Sequence, residues 1–218
     1  MLSEAVQDYL KAIWKLEREG PATTSALAAK LEVTPASATA MVKKLAGLGL
    51  VEHERYRGVR LTASGERMAL EVVRHHRLLE LYLMQALGLG WDEVHAEAER
   101  LEHYLSEELE ARIDAALGHP THDPHGDPIP TAELVLKPED RRWLSDVADG
   151  GVAVIRRVPD GDPELLRYLA SLGIVPEQPI VLVERAPFDG PVTVEVDGAR
   201  HAIGRGLAER IEVGGAAA

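Results

Sequence analysis

Along residues 4–18, EAVQDYLKAIWKLER, the apolar positions Ala5, Tyr9, Ala12, Ile13 and Leu16 share one helical face, and Gly20-Pro21 ends the pattern. Thr24 to Leu31 predicts a short helix and Glu32-Val33 a turn. Thr34 then sits as an N-cap before Pro35, the first position of a third helix running through SATAMVKKLAGL to Gly49. LVEHERYRGVRLT alternates like two strands joined by a tight turn at Arg57-Gly58. Helix, short helix, turn, helix and hairpin together predict a winged helix-turn-helix.

Downstream, Ser64 to Leu87 predicts one long helix, Gly88-Leu89-Gly90 a break, and Trp91 to about Ile113 one or two more helices. Residues 118–130, GHPTHDPHGDPIP, have the Pro, Gly and His content of a linker without a core of its own. Its histidines, His119, His122 and His125, are expected at the surface. From Gly151 the period changes to two: VAVIRRV, PIVLVERA, PVTVEVDG and ARHAIGRG are short β-type runs, interrupted by one helix from Pro163 to Leu172. This predicts a small SH3-like β-barrel, with GGAAA as a frayed tail. The expected fold is mainly α with small β. It divides into a winged helix-turn-helix domain (1–70), a helical metal-binding and dimerisation domain (71–140) and an SH3-like C-terminal domain (148–213).

Composition narrows the chemistry. A chain of 218 residues that is 45% hydrophobic and 28% charged reads as soluble and globular, and a single Phe makes its cores aliphatic. The stretch Leu78 to Trp91 is broken by Glu80 and Gln85, which is too short for a membrane span, and Glu4 and Asp8 stand where a secretory signal would be basic. A cytoplasmic location is expected. The absence of cysteine excludes disulfides, thiolate zinc sites, iron–sulfur clusters and thiol catalysis, so any metal must use nitrogen and oxygen donors. The net charge of −12 is unevenly spread: residues 1–70 hold ten Lys and Arg against eight Asp and Glu, whereas residues 71–150 hold seven against eighteen. That acidic middle carries seven of the nine histidines, a combination that points to metal.

The slightly basic head suits DNA. Thr34, Ser37 and Thr39 open the third helix with short hydroxyl side chains, and Ala36 and Ala40 can meet thymine methyl groups in the major groove. Lys43, Lys44, Arg55, Arg57 and Arg60 suit phosphate contacts.

In HAEAERLEH, the residues His95, Glu99, Glu102 and His103 are spaced by four, three and one, which on a continuous helix of about 100° per residue places them on one side. His76 and Glu80, four apart on the preceding helix, stack likewise. Such imidazole and carboxylate pairs can jointly hold a divalent cation. A di-iron enzyme would need Glu-x-x-His motifs and a zinc peptidase His-Glu-x-x-His; the sequence has neither. A winged-helix regulator sensing an organic ligand is the other competing reading, in which these stripes are merely solvated.

DYLKAIWKLE, the helix-turn-helix, RHHRLLELYL, GLGWDEVHAEAERLEH and HGDPIP together resemble the diphtheria toxin repressor family of metal-dependent transcription regulators over nearly the whole chain. The resemblance implies a homodimer that binds double-stranded operator DNA and represses metal uptake. It implies a primary site of Asp8, Glu99, Glu102 and His103, and an ancillary site of His76, Glu80 and His95 with Asp160 from the C-terminal domain, Asp162 being the fallback. The iron-responsive branch has Met and Cys where this chain has Asp8 and Glu99. The exchange of sulfur for carboxylate matches the manganese-responsive branch and favours Mn(II), with Fe(II) as the alternative and other divalent ions substituting in vitro. Lys11 replaces a further helix-one carboxylate of some manganese-responsive members, which argues against a binuclear site of their kind. No organic cofactor and no membrane are expected. The implied mechanism is a cation relieving repulsion among Asp8, Glu99 and Glu102, thereby fixing the spacing of two reading heads to match a palindrome.

Overall fold

A computed structural model describes residues 3–54, 58–137 and 141–215. Helices α1 (Glu4–Glu19), α2 (Thr24–Lys30) and α3 (Pro35–Gly47) are followed by strands β1 (Val51–Glu54) and β2 (Gly58–Leu61), which pair antiparallel with Val51 opposite Leu61. The Thr34 hydroxyl accepts the Ser37 amide hydrogen bond at 3.2 Å, and Pro35 fixes the first turn of α3. Leu10 and Ile13 of α1, Leu27 of α2 and Leu45 of α3 are fully buried in one apolar cluster, which locks the three helices together. Full burial of each such side chain contributes about 1.5–3 kcal/mol.

Helix α4 (Ala63–Leu87) is the spine of the molecule. Its first half contributes Ala69, Leu70 and Val73 to the head cluster, while Leu78, Leu79 and Leu83 pack on Val94 and Ala98 of α5 (Val94–Leu101) and Ile113 of α6 (Glu107–Ala116). It begins at the Thr62 cap and ends at left-handed Gly88. The expected unbroken stripe from His95 to His103 is not a single helical face. Helix α5 stops at Leu101, and Glu102–Tyr104 forms a tighter 3₁₀ turn that redirects the last two donors.

The C-terminal part contains β3 (Arg142–Trp143), β4 (Gly151–Arg157), α7 (Pro163–Ser171), β5 (Pro179–Arg185), β6 (Val192–Val196), β7 (Ala199–Ile203), α8 (Arg205–Ala208) and β8 (Glu212–Gly214). They form an antiparallel sheet in the order β3-β8-β4-β5-β6-β7 around a core that includes Ile155, Leu166, Leu169, Ile180 and Leu182.

The supposed linker departs from expectation. Asp123, His125, Gly126, Asp127, Ile129 and Pro130 are all buried between α4 and β4. Gly126 has a φ of 91°, and a Cβ there would come within 1.8 Å of the Arg156 carbonyl oxygen, so only glycine permits this approach. The Val158 amide donates to the His125 carbonyl at 3.0 Å, which binds the segment to the strand. Among the described residues, no helix is long and apolar enough to cross a membrane.

Candidate metal centre and nucleic-acid interface

Helix α3 turns Ala38, Val42 and Leu45 inward and leaves Thr34, Ala36, Ser37, Thr39, Ala40, Lys43 and Lys44 exposed, the arrangement a recognition helix needs. Arg60 is exposed on the wing, 3.8 Å from Glu17. Arg55 and Arg57 lie outside the described residues.

The acid and imidazole groups form a connected line from α1 through α4 and α5 to the segment before β4. At one end, Asp8 of α1 meets the 3₁₀ turn: Asp8 Oδ1 lies 3.0 Å from His103 Nε2, and Glu102 Oε1 lies 3.8 Å from the same nitrogen. Gln7 Oε1 holds the opposite ring nitrogen of His103 at 2.6 Å, a contact the sequence reading missed. Burial pushes the Asp8 carboxyl up, against the opposing pull of His103 and Lys11. Ligand-capable atoms of Asp8, Glu102 and His103 lie within 4.8 Å of one another.

Glu99 was expected in this group, but the structure directs it elsewhere. Its carboxylate takes a 2.7 Å hydrogen bond from Lys11 and falls into a separate group with His76 and Glu102. Burial would raise Glu99, yet Lys11 and His76 outweigh it and hold the carboxyl at about 2.

The other expected set assembles around Glu80, which is fully buried. His76 Nε2 and His95 Nδ1 both approach Glu80 Oε1 at 2.9 Å, and Asp160 Oδ2 lies 3.8 Å from His95 Nδ1. Although burial opposes it, the His76 charge and the hydrogen bonds from both imidazoles hold Glu80 well below the usual carboxylate range. Asp160 is likewise held at about 2 against its burial, chiefly by Lys15. Asp162, the fallback, instead caps α7 by accepting from the Glu164 amide at 2.9 Å. His76 Nδ1 also lies 2.5 Å from Glu102 Oε2, which links the two sets.

A further group was not read from the sequence, which named Glu80 as a ligand but placed His125 at the surface. Glu80, Asp123 and His125 converge in full burial, and His125 is not a surface residue: Nε2 bonds the Trp91 carbonyl at 2.8 Å, leaving Nδ1 to face Glu80 Oε2 at 3.9 Å. Burial first, then the charges of Asp127 and Glu80, drive the Asp123 carboxyl well above its ordinary value. Glu80 Oε2, Asp123 Oδ2 and His125 Nδ1 are buried without hydrogen-bond partners. Buried polar atoms without partners are costly, and ligand-capable atoms of these three side chains lie within 4.8 Å of one another, a set that a divalent cation would satisfy. The donor chemistry therefore fits a metal. His119 remains exposed, 2.8 Å from Asp114, and His122 is also exposed.

Below these groups a buried ionic chain joins α4 to the sheet. Asp127 receives Arg77 Nη2 and Arg157 Nε, each at 2.7 Å, and Arg157 Nη1 continues to Glu212 at 2.9 Å.

A winged-helix reading head on a helical scaffold lined with carboxylate and imidazole defines a metal-dependent DNA-binding regulator. Three family models match in succession: the iron dependent repressor N-terminal DNA binding domain over residues 1–59, the iron dependent repressor metal binding and dimerisation domain over 62–131, and the FeoA domain over 143–214. The iron-dependent repressor IdeR of Mycobacterium tuberculosis is 34% identical over 210 residues, covering 90% of each chain. The diphtheria toxin repressor of Corynebacterium diphtheriae is 35% identical over 130 residues, 59% of this chain and 58% of the relative. A solved manganese-dependent transcriptional repressor in complex with manganese superposes with a TM-score of 0.89 at 44% identity, covering 95% of this chain and 98% of that one. The chain belongs to the diphtheria toxin repressor family of metal-dependent regulators, which bind operator DNA as homodimers.

Proposed function

We propose that this protein is a Mn(II)-activated cytoplasmic repressor of metal-uptake genes, acting as a homodimer on palindromic operators. One observation carries the reading: Asp8, on a helix of the reading head, shares a donor group with Glu102 and His103 at the end of α5. We take Asp8, Glu102 and His103, with Glu99 beside them, as the primary ligand set. His76, Glu80, His95 and Asp160 form the ancillary one, with Asp123 and His125 at its buried side. We assign the chain no enzymatic activity, and we place its three units at 1–70, 71–140 and 148–213.

An all-oxygen-and-nitrogen donor set with several carboxylates suits manganese, whose weak intrinsic affinity requires dense negative charge. The manganese-bound structural neighbour supports that choice. The relatives named iron-dependent repressors support Fe(II) as a second reading. When bound, a divalent cation supplies positive charge between carboxylates that face each other across α1 and the α5 terminus. The protein's part is transmission. Asp8 belongs to the same helix as Leu10 and Ile13, whose cluster includes Leu45 of α3, so constraint on α1 constrains the recognition helix. Thr34, Ala36, Ser37, Thr39 and Ala40 would then face base edges, with Lys43, Lys44, Arg55, Arg57 and Arg60 on phosphates.

The test is a duplex selected from random sequence by the Mn(II)-loaded protein, followed by binding titrations with Mn(II), Fe(II), Co(II) and Zn(II). Activation by Mn(II) at the lowest free concentration is expected. Preference for Fe(II) would move the assignment to the second reading, and indifference to every divalent ion would leave a metal-independent regulator. Asp8→Met combined with Glu99→Cys should shift the response toward Fe(II); unchanged selectivity would show that these two side chains do not set it.

A further inference from the structure

Lys11 is a lysine in an unusual place. Its side chain is only 7% exposed, and its Nζ lies 2.7 Å from Glu99 Oε1 and 2.6 and 2.8 Å from the two oxygens of Glu102. His76 closes the other side, with Nδ1 at 2.5 Å from Glu102 Oε2 and 4.0 Å from Glu99 Oε1. Ligand-capable atoms of His76, Glu99 and Glu102 all fall within 4.8 Å of one another. Two carboxylates and an imidazole at that separation are a donor set for a divalent ion, and an ammonium with three N–H donors is directed at the same oxygens.

We propose that Lys11 is a built-in counter-cation that keeps the His76–Glu99–Glu102 cluster from holding an ion of its own, so that the carboxylates it shares with the Asp8–His103 group serve one divalent ion rather than two. The proposal rests on the preceding reading of the neighbouring clusters as metal sites. Two consequences follow from the contacts. Glu102 is shared between Lys11 and the Asp8–His103 group, so the ammonium competes for a ligand of that group as well. Lys11 also ties α1 to α5 directly, so the reading head retains part of its coupling to the scaffold without any metal.

Equilibrium dialysis of the full-length protein against Mn(II), with metal counted per protomer, tests this with Lys11→Met, which removes the charge at similar length, and Lys11→Gln, which keeps a donor for the buried carboxylates. Both should bind one more equivalent than the wild type, whereas Lys11→Arg should not. The neutral variants should also melt lower without metal and gain more in melting temperature from Mn(II) than the wild type does. Equal stoichiometry in the wild type and both neutral variants would overturn the proposal. A wild type that binds no Mn(II) at all would overturn the functional reading beneath it instead.

Discussion

Asp127 is the point where the helical scaffold and the sheet are joined by charge, and Asp127→Ala is a measurable test of that joint. The substitution removes two charge-assisted hydrogen bonds of 2.7 Å, one from Arg77 and one from Arg157. Each is worth about 1.5–3 kcal/mol when buried. Neither arginine is stranded: Arg77 keeps Asp123 at 3.7 Å, and Arg157 keeps Glu212 at 2.9 Å. The loss therefore falls below the full cost of an orphaned buried charge, at about 3 kcal/mol. For a chain of this size each kcal/mol moves the melting temperature by about 2–4 °C, giving a fall of roughly 6–12 °C by differential scanning calorimetry. Asp127→Asn, which keeps an acceptor and loses the charge, should fall about half as far. Because Asp160 follows Arg157 by three residues, Asp127→Ala should also weaken metal uptake by the set containing His95. A shift below about 2 °C would show that apolar packing alone holds the segment in place.

Further outcomes follow from particular contacts. Burial would lower His75, but its 2.9 Å contact with Glu110 raises it on balance, while Glu110 is lowered against its own burial. The histidine's contribution to stability is therefore complete below its ordinary value of 6.5 and fades as pH rises through the raised one. The glutamate's contribution is present above 4.5 and fades as pH falls. The difference in urea midpoint between wild type and Glu110→Gln should thus be larger at pH 6 than at pH 9, and a difference that grows with pH would refute the assignment. Lys43→Ala and Lys44→Ala should each lower the salt dependence of DNA binding by about one phosphate contact, read from log K against log salt. Thr34→Ala removes the α3 cap and should cost about 1 kcal/mol in chemical denaturation, with no loss of metal binding.

The reading head was legible because its information is local. Helical periodicity, Thr34-Pro35 and the alternation after Gly49 each declare an element without long-range contacts. The short strands Arg142–Trp143 and Glu212–Gly214 were not, since two or three residues cannot display a period and their pairing is set by β4. Among the donors, the quartet on α4 and α5 was visible from spacing. The change to a 3₁₀ turn at Glu102 was not, and that turn sends Glu102 and His103 toward α1 while His95 remains with Glu80. His125 and Asp123 were concealed by a composition typical of solvated linkers. The available signal was Gly126 between them and Asp127, a residue that marks close backbone approach when it sits among otherwise stiff prolines. Lys11 was recognised as a missing carboxylate but not as a cation placed among carboxylates, because that role depends on which elements face each other across the fold.

In the function proposed above, Asp8 couples metal occupancy to DNA binding. Fluorescence anisotropy of the selected duplex, measured against free Mn(II) for wild type and Asp8→Ala and then reversed with chelator, addresses it most directly. The wild type should bind tightly and reversibly with chelator, and the variant should require much higher Mn(II), with the metal-free affinities of the two alike. Identical Mn(II) dependence in both proteins, or wild-type binding indifferent to the chelator, would contradict it.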